Sequence, residues 1–173
     1  MGVSLLVREI VPTLSGEGRH AGLPTTIIRL YGCNLECLYC DADPEITKDI
    51  PEKTPPNCKR MGLDNIMAAV IKAKNKRVMI TGGEPLLQWD ALESLVYELS
   101  GNGYTTWIET NGSIEIAPCH YRRSWAYCMD VKCPSSGMVT HNILSNISNL
   151  QSVDELKFVI GTKEDYDFAV KIL

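Results

Sequence analysis

The chain as a whole carries no excess of positive charge. Its 17 Lys and Arg stand against 21 Asp and Glu, a formal net charge of −4, which leaves no basic footprint for nucleic acid. No apolar run approaches the ~20 residues a bilayer span requires. The first residues, Met1 to Val11, set Arg8 and Glu9 among apolar neighbours and are expected to form a strand, not a signal sequence. Internal repeats and low-complexity tracts are missing. The cysteines number seven, an odd count with no second C-x2-C pair, which argues against a disulfide framework and a four-ligand zinc site. Thiols in this number suit a reducing cytoplasm. What remains is a chain of 173 residues, 45% hydrophobic and 22% charged, suited to one domain over residues 1–173 with a real core.

Strand and helix signals alternate along it. Leu5 to Ile10 reads as a strand or extended arm, and Pro12 to Gly18 as a glycine-punctuated loop with Glu17 at its centre. Thr25 to Tyr31 is a β-branched run and reads as a buried strand. Asp43 to Lys59, with Pro51, Pro55 and Pro56, is expected to be an irregular insertion. Leu63, Ile66, Met67, Val70 and Ile71 recur at helical spacing, predicting a helix over Leu63 to Lys74. Arg77 to Thr81 is the next strand. Trp89 to Leu99 is a helix stopped by Gly101-Asn102-Gly103. Further strands are expected at Tyr104 to Glu109, Trp125 to Val131 and Leu156 to Ile160, with a last helix from Lys163. This order implies a parallel sheet with helical crossovers, whose ligands gather at the carboxyl edge of the strands. The loops at Gly32 to Asp41, Gly82 to Pro85, Asn111-Gly112 and Lys132 to Gly137 all belong to that edge.

The first of these loops carries the chemistry. Cys33, Cys37 and Cys40 stand at spacing C-x3-C-x2-C between residues that are not core. Three thiolates on one tight loop can hold three irons of a 4Fe-4S cubane and leave the fourth iron open to a small molecule. Thr81-Gly82-Gly83-Glu84-Pro85 follows a strand directly, and its glycines admit close backbone approach to a ligand. Arg29 offers a bidentate fork to a carboxylate, although by itself it reads as a strand-end salt bridge. Glu17 by itself reads as a solvated loop residue. Cys133, without a partner at ligand spacing, reads as a structural thiol.

The cysteine loop resembles that of the radical S-adenosylmethionine (SAM) enzymes, and Gly82-Gly83-Glu84-Pro85 resembles their GGEP motif. The resemblance implies a 4Fe-4S cluster on Cys33, Cys37 and Cys40, with SAM bound through its amino and carboxylate groups at the open iron and cleaved to a 5′-deoxyadenosyl radical. The fold it implies is α/β, an incomplete (β/α)6-type partial barrel. SAM contacts fall by this resemblance on Tyr39, Cys40, Asp41, Gly82, Gly83, Glu84, Glu109, Lys132 and Ser135. Thr13 to Gly18, Arg29, Gly32-Cys33-Asn34, Cys40-Asp41, Asp130 to Gly137 and Glu155 to Ile160 narrow it to the 7-carboxy-7-deazaguanine synthase family.

That family implies 6-carboxy-5,6,7,8-tetrahydropterin as substrate, held by Leu14, Ser15, Gly16, Glu17, Arg29 and Thr81. It also implies loss of ammonia, regeneration of SAM, a flavodoxin-type or similar reductant and a homodimer. Two departures accompany the resemblance. The family carries Thr or Ser as a magnesium ligand where this chain has Ala42, leaving Asp41 or Asp43 as the oxygen donors. Family chains also run several tens of residues beyond the Leu156–Ile160 strand, so this one is expected to be a minimal member or a shortened chain. An activating enzyme for a glycyl-radical protein shares the cysteine loop but leaves Ser15 to Gly18 and Arg29 unexplained. A cluster-bearing electron carrier leaves Gly82 to Pro85 without a purpose.

Overall fold

The computed structural model describes residues 2–42, 45–117 and 125–173. Its strands are β1 (Ser4–Leu14), β2 (Pro24–Leu30), β3 (Lys59–Gly62), β4 (Arg77–Gly82), β5 (Thr105–Thr110), β6 (Trp125–Asp130) and β7 (Glu155–Lys157). They form a 7-stranded sheet in the order β3-β1-β2-β4-β5-β6-β7. From β2 to β7 every neighbouring pair is parallel. The expected parallel sheet is found over these strands; at the other end β1 runs antiparallel to both β2 and β3. A short loop joins β1 to β2 and returns the chain alongside itself, which only an antiparallel pair permits.

Three other boundaries differ from the sequence pattern. β1 continues through Pro12, Thr13 and Leu14, because the same pairing with β2 runs on to Leu14 opposite Pro24. The supposed insertion ends in β3, whose Lys59 to Gly62 pair with Val7 to Ser4. The last strand is shorter than expected: Phe158 to Ile160 lie outside it, and Val159 and Ile160 are exposed.

Helices α1 (Leu63–Ala73) and α2 (Trp89–Gly101) return the chain from β3 to β4 and from β4 to β5. Their apolar stripes, Ile66, Met67 and Val70 on one and Leu92, Leu95, Val96 and Leu99 on the other, bury against one face of the sheet. That face is set by strand alternation: Ile28 and Leu30, Val78 and Ile80, Ile108, and Tyr127 and Met129 all belong to this core. The alternate residues face the other way. There Met79, Trp107 and Cys128 make a second, smaller apolar cluster with Ile27 and Ala126. Helix α3 (Lys163–Ile172) starts with a reciprocal cap between Thr162 and Asp165. No helix of the described residues is long and apolar enough to cross a membrane.

Candidate active site

Above the second apolar cluster, the same alternation presents the next inward residues of each strand: Arg29 on β2, Thr81 on β4, Glu109 on β5, Asp130 on β6 and Lys157 on β7. In a parallel sheet these positions come at the carboxyl ends of adjacent strands, with Arg29 opposite Thr81 and Asp130 opposite Lys157. They line a cavity of about 450 Å³ together with Cys33, Cys37, Tyr39, Cys40, Asp41, Ala42, Gly82 and Gly83. Glu17 and Lys132 reach it as well. Sequence elements more than a hundred residues apart thus meet around one space.

The thiols are presented unequally. Cys33 is 7% exposed, and its sulfur accepts from Leu35 N at 3.5 Å and from Asn111 Nδ2 at 3.8 Å. Burial pushes the Cys33 thiol up, and the same cause raises Cys37. Cys40 is exposed. Among the described residues no three His, Cys, Asp or Glu side chains are grouped at metal-holding distance. The donor set itself suits an iron–sulfur cluster: sulfur ligands on one loop at a cavity mouth, one of them already receiving N–H groups, the outer contacts that tune such clusters.

Gly82 and Gly83 are fixed by space. A Cβ on Gly83 would collide with Gly32 O and with the Cys33 side chain, and one on Gly82 with Leu30 O. The cysteine loop and the Gly-Gly turn are therefore pressed together, a junction secured by Glu84 N donating to Gly32 O at 2.8 Å. Glu84 itself is fully buried. Its carboxylate accepts from Leu86 N at 2.9 Å, Thr110 Oγ1 at 2.9 Å and Asn111 N at 2.6 Å. It braces two strand-end loops and is not among the cavity-lining residues. Burial lifts its pKa to about 7 against the pull of those donors.

Ser135 also stands apart. Its N–H donates to Asp165 Oδ1 at 2.8 Å, tying the turn after β6 to the start of α3. Leu14, Ser15 and Gly16 do not line the cavity; Ser15 is buried and ties its loop together through Gly22 N and Leu23 O. Asp43 lies outside the described residues. Cys133 is fully buried with its thiol toward Val131 O, in keeping with a structural role.

Lys157 is the residue that sequence reasoning missed. Its ammonium reaches Glu17 at 3.2 Å, Glu109 at 3.3 Å and Asp130 at 3.9 Å. Burial alone would lower its pKa, but these carboxylates outweigh that and raise it. Glu109 is raised by burial and held down by Lys157. Asp130 has a second tie, to Lys132 at 3.0 Å, while its Oδ1 is buried without a hydrogen bond. A lysine interrupting the otherwise apolar run Leu156 to Ile160 was the available signal. Arg29 gives its Nε to Glu9 at 2.8 Å, the strand-end pair its sequence context suggested, and still borders the cavity.

Residues 27–118 match the radical SAM superfamily. Among curated relatives, the 7-carboxy-7-deazaguanine synthase of Methanospirillum hungatei is 39% identical over 96% of this chain and 66% of its own length. That of Koribacter versatilis is 38% identical over 94% of this chain and 68% of its own. That of Thermoplasma acidophilum is 36% identical over 96% and 75%. The chain belongs to the 7-carboxy-7-deazaguanine synthase family of radical SAM enzymes.

It spans about two thirds to three quarters of the length of these relatives. The fold agrees with the crystal structure of QueE from Escherichia coli, at a TM-score of 0.70 and 22% identity over 98% of this chain and 77% of that one. Membership of the superfamily implies the 4Fe-4S cluster and SAM, and the cysteine-lined mouth beside Gly82 and Gly83 is where the donor set fits them. The α/β architecture, parallel from β2 to β7 with β3 and β7 at the edges among the described residues, is consistent with the expected partial barrel.

Proposed function

We propose that this chain, as a single domain, converts 6-carboxy-5,6,7,8-tetrahydropterin to 7-carboxy-7-deazaguanine with loss of ammonia. The observation that carries the reading is the meeting, in one cavity, of a cluster-type cysteine loop with Arg29 and a row of half-buried charges. When bound, the cluster and SAM supply hydrogen-atom abstraction from the substrate; the chain supplies everything that orients it.

Cys33, Cys37 and Cys40 hold the cluster, with Asn111 and Leu35 N–H groups on the Cys33 sulfur. Gly82 and Gly83 offer SAM a wall without side chains, and Tyr39, Asp41, Glu109 and Lys132 offer it polar contacts. Glu84 acts on SAM indirectly by fixing the Gly82–Gly83 turn, and Ser135 by fixing the loop after β6. Arg29 takes the substrate carboxylate, Thr81 contributes a hydroxyl, and Glu17 pairs with the donor-rich pterin edge, while Leu14, Ser15 and Gly16 act indirectly by fixing the loop that carries Glu17. Lys157 keeps Glu17 and Glu109 in place. A flavodoxin-type protein supplies the electron, the enzyme works in the cytoplasm, and the active form is a homodimer; free thiols support the compartment, and family likeness the rest.

The test is an anaerobic turnover assay of the reconstituted protein with dithionite, SAM and the carboxylated tetrahydropterin, read by mass spectrometry. Many molecules of product lighter by one ammonia per SAM are expected. Cleavage of SAM without that product would overturn the substrate and point to a protein target, as for a glycyl-radical activating enzyme.

A further inference from the structure

The strand pairing breaks at one place. Val7 pairs with Leu30 and Glu9 with Arg29, so two steps along β1 match one along β2, and Arg8 is the extra residue of a bulge. A bulge interrupts the period of two and re-aims the side chain it carries. Here it sends Arg8 to the end of the cysteine loop. Its Nη1 donates to Ala42 O at 3.4 Å, and its Nη2 pairs with Glu45 at 3.0 Å. Arg8 then shares with Arg29, Glu9, Asp41 and Ala42 the lining of a second cavity of about 400 Å³. That cavity adjoins the cysteine-lined one, because Arg29, Asp41 and Ala42 border both.

Position 42 is where the family resemblance places a side-chain ligand for magnesium. The described residues do not fit that ion. Alanine has no side-chain oxygen, and its carbonyl is already approached by a guanidinium. Glu45 and Glu9, the nearby carboxylates, are engaged by Arg8 and Arg29. Among the described residues, Asp41 is the remaining acid bordering the space. A small divalent cation prefers one or two carboxylates and near-octahedral oxygen, and two neighbouring guanidiniums would repel it.

We propose that Arg8 replaces the metal: its guanidinium supplies the positive charge beside the substrate carboxylate, paired with Arg29, and the site works without magnesium. A planar fork suits this role, because it can donate two parallel N–H bonds to a carboxylate while remaining charged at any working pH. The inference rests on the pterin carboxylate named above as ligand, and it makes Arg8 a binding residue outside the family's own set.

The test is a fluorescence titration of the reconstituted, SAM-loaded protein with 6-carboxypterin, a redox-inert analogue bearing the same carboxylate. It is run anaerobically in EDTA and again in magnesium chloride. The wild-type affinity is expected to differ by less than about twofold between the two buffers, and Arg8→Gln to weaken it about tenfold in both. Arg8→Lys should recover part of the loss. Glu45→Gln, which removes the ion-pair partner but leaves the guanidinium, should bind as tightly as wild type or tighter; weakening equal to that of Arg8→Gln would reduce Arg8 to a loop tie and overturn the proposal. The double variant Arg8→Gln with Ala42→Thr should regain affinity only when magnesium is present. Tenfold tightening of the wild type by magnesium, or an Arg8→Gln variant that binds normally, would also overturn it. Wild-type protein that binds SAM but no 6-carboxypterin would instead remove the substrate reading, and this inference with it.

Discussion

The cavity has two walls made in opposite ways. The Gly82–Gly83–Glu84 wall is cast into the fold: no Cβ fits at either glycine, Glu84 is fully buried, and its carboxylate is bound by three donors from two loops. The cysteine wall is open. Leu38 is 82% exposed, Cys40 is exposed, and the loop's ties near them are Leu38 N to Ser136 O and Cys40 N to Cys37 O. The closed wall is stabilised by the protein's own packing, so it stands before any ligand arrives. The open wall leaves the Cys40 sulfur reachable and Cys37 half-buried, as a group that must be assembled onto the loop requires, while Cys33 is buried at its base. Preorganisation and accessibility are divided between two loops that touch at Gly32 and Gly83.

That division is broken most severely at Gly83. Gly83→Ala forces backbone apart from backbone and is expected to cost more than about 3 kcal/mol, read as a lower urea midpoint together with lost SAM binding. A stable variant that still binds SAM would mean the closed wall is not rigid.

Glu84 sharpens the comparison through pH. Its folded pKa of about 7 lies above its ordinary 4.5, so between these values the native state holds more protons than the unfolded state. Stability should therefore fall as pH rises from 4.5 to 7, by about 3 kcal/mol at most. Glu84→Gln should flatten that slope. An unchanged slope in a urea series at several pH values would assign it to another group.

Lys157 sits between the walls. Lys157→Met leaves Glu109 buried without its cation and is expected to destabilise by about 2 kcal/mol, discounted for the partial exposure of the ammonium. The loss should shrink as pH falls and Glu109, whose pKa burial already raises, takes a proton. A pH-independent loss would mean that packing of the lysine stem, not charge, is responsible.

The smallest stability effect belongs to the open wall. Cys40→Ser in the cluster-free protein should shift the midpoint by under about 0.5 kcal/mol, while iron analysis after reconstitution shows the cluster lost. A large shift without iron would show that the cysteine loop is as integral as the glycine turn.

Much of this architecture is legible in the chain. The apolar stripes of α1 and α2, the β-branched run of β2 and the alternation of β4 and β5 each depend on residues a few positions apart, and they appear where the sequence puts them. The cysteine spacing is equally local, which is why the cluster loop can be read without any fold. The misread boundaries were those set by a partner: β3 exists because β1 offers an edge, and Phe158 to Ile160 leave the sheet although their composition favours a strand.

The sequence by itself determined helices α1 and α2, the strands β2, β4 and β5 with their alternating faces, and that three thiols share one loop. Only the tertiary structure decided what each polar group does. Lys157 finds Glu17 across 140 positions, Glu84 turns its carboxylate onto Asn111, and a bulge carries Arg8 to Ala42. Charges buried at a strand end must find partners wherever the sheet brings them, because an unpaired one is too costly to bury. Those partners are fixed by register between strands, which no local pattern records.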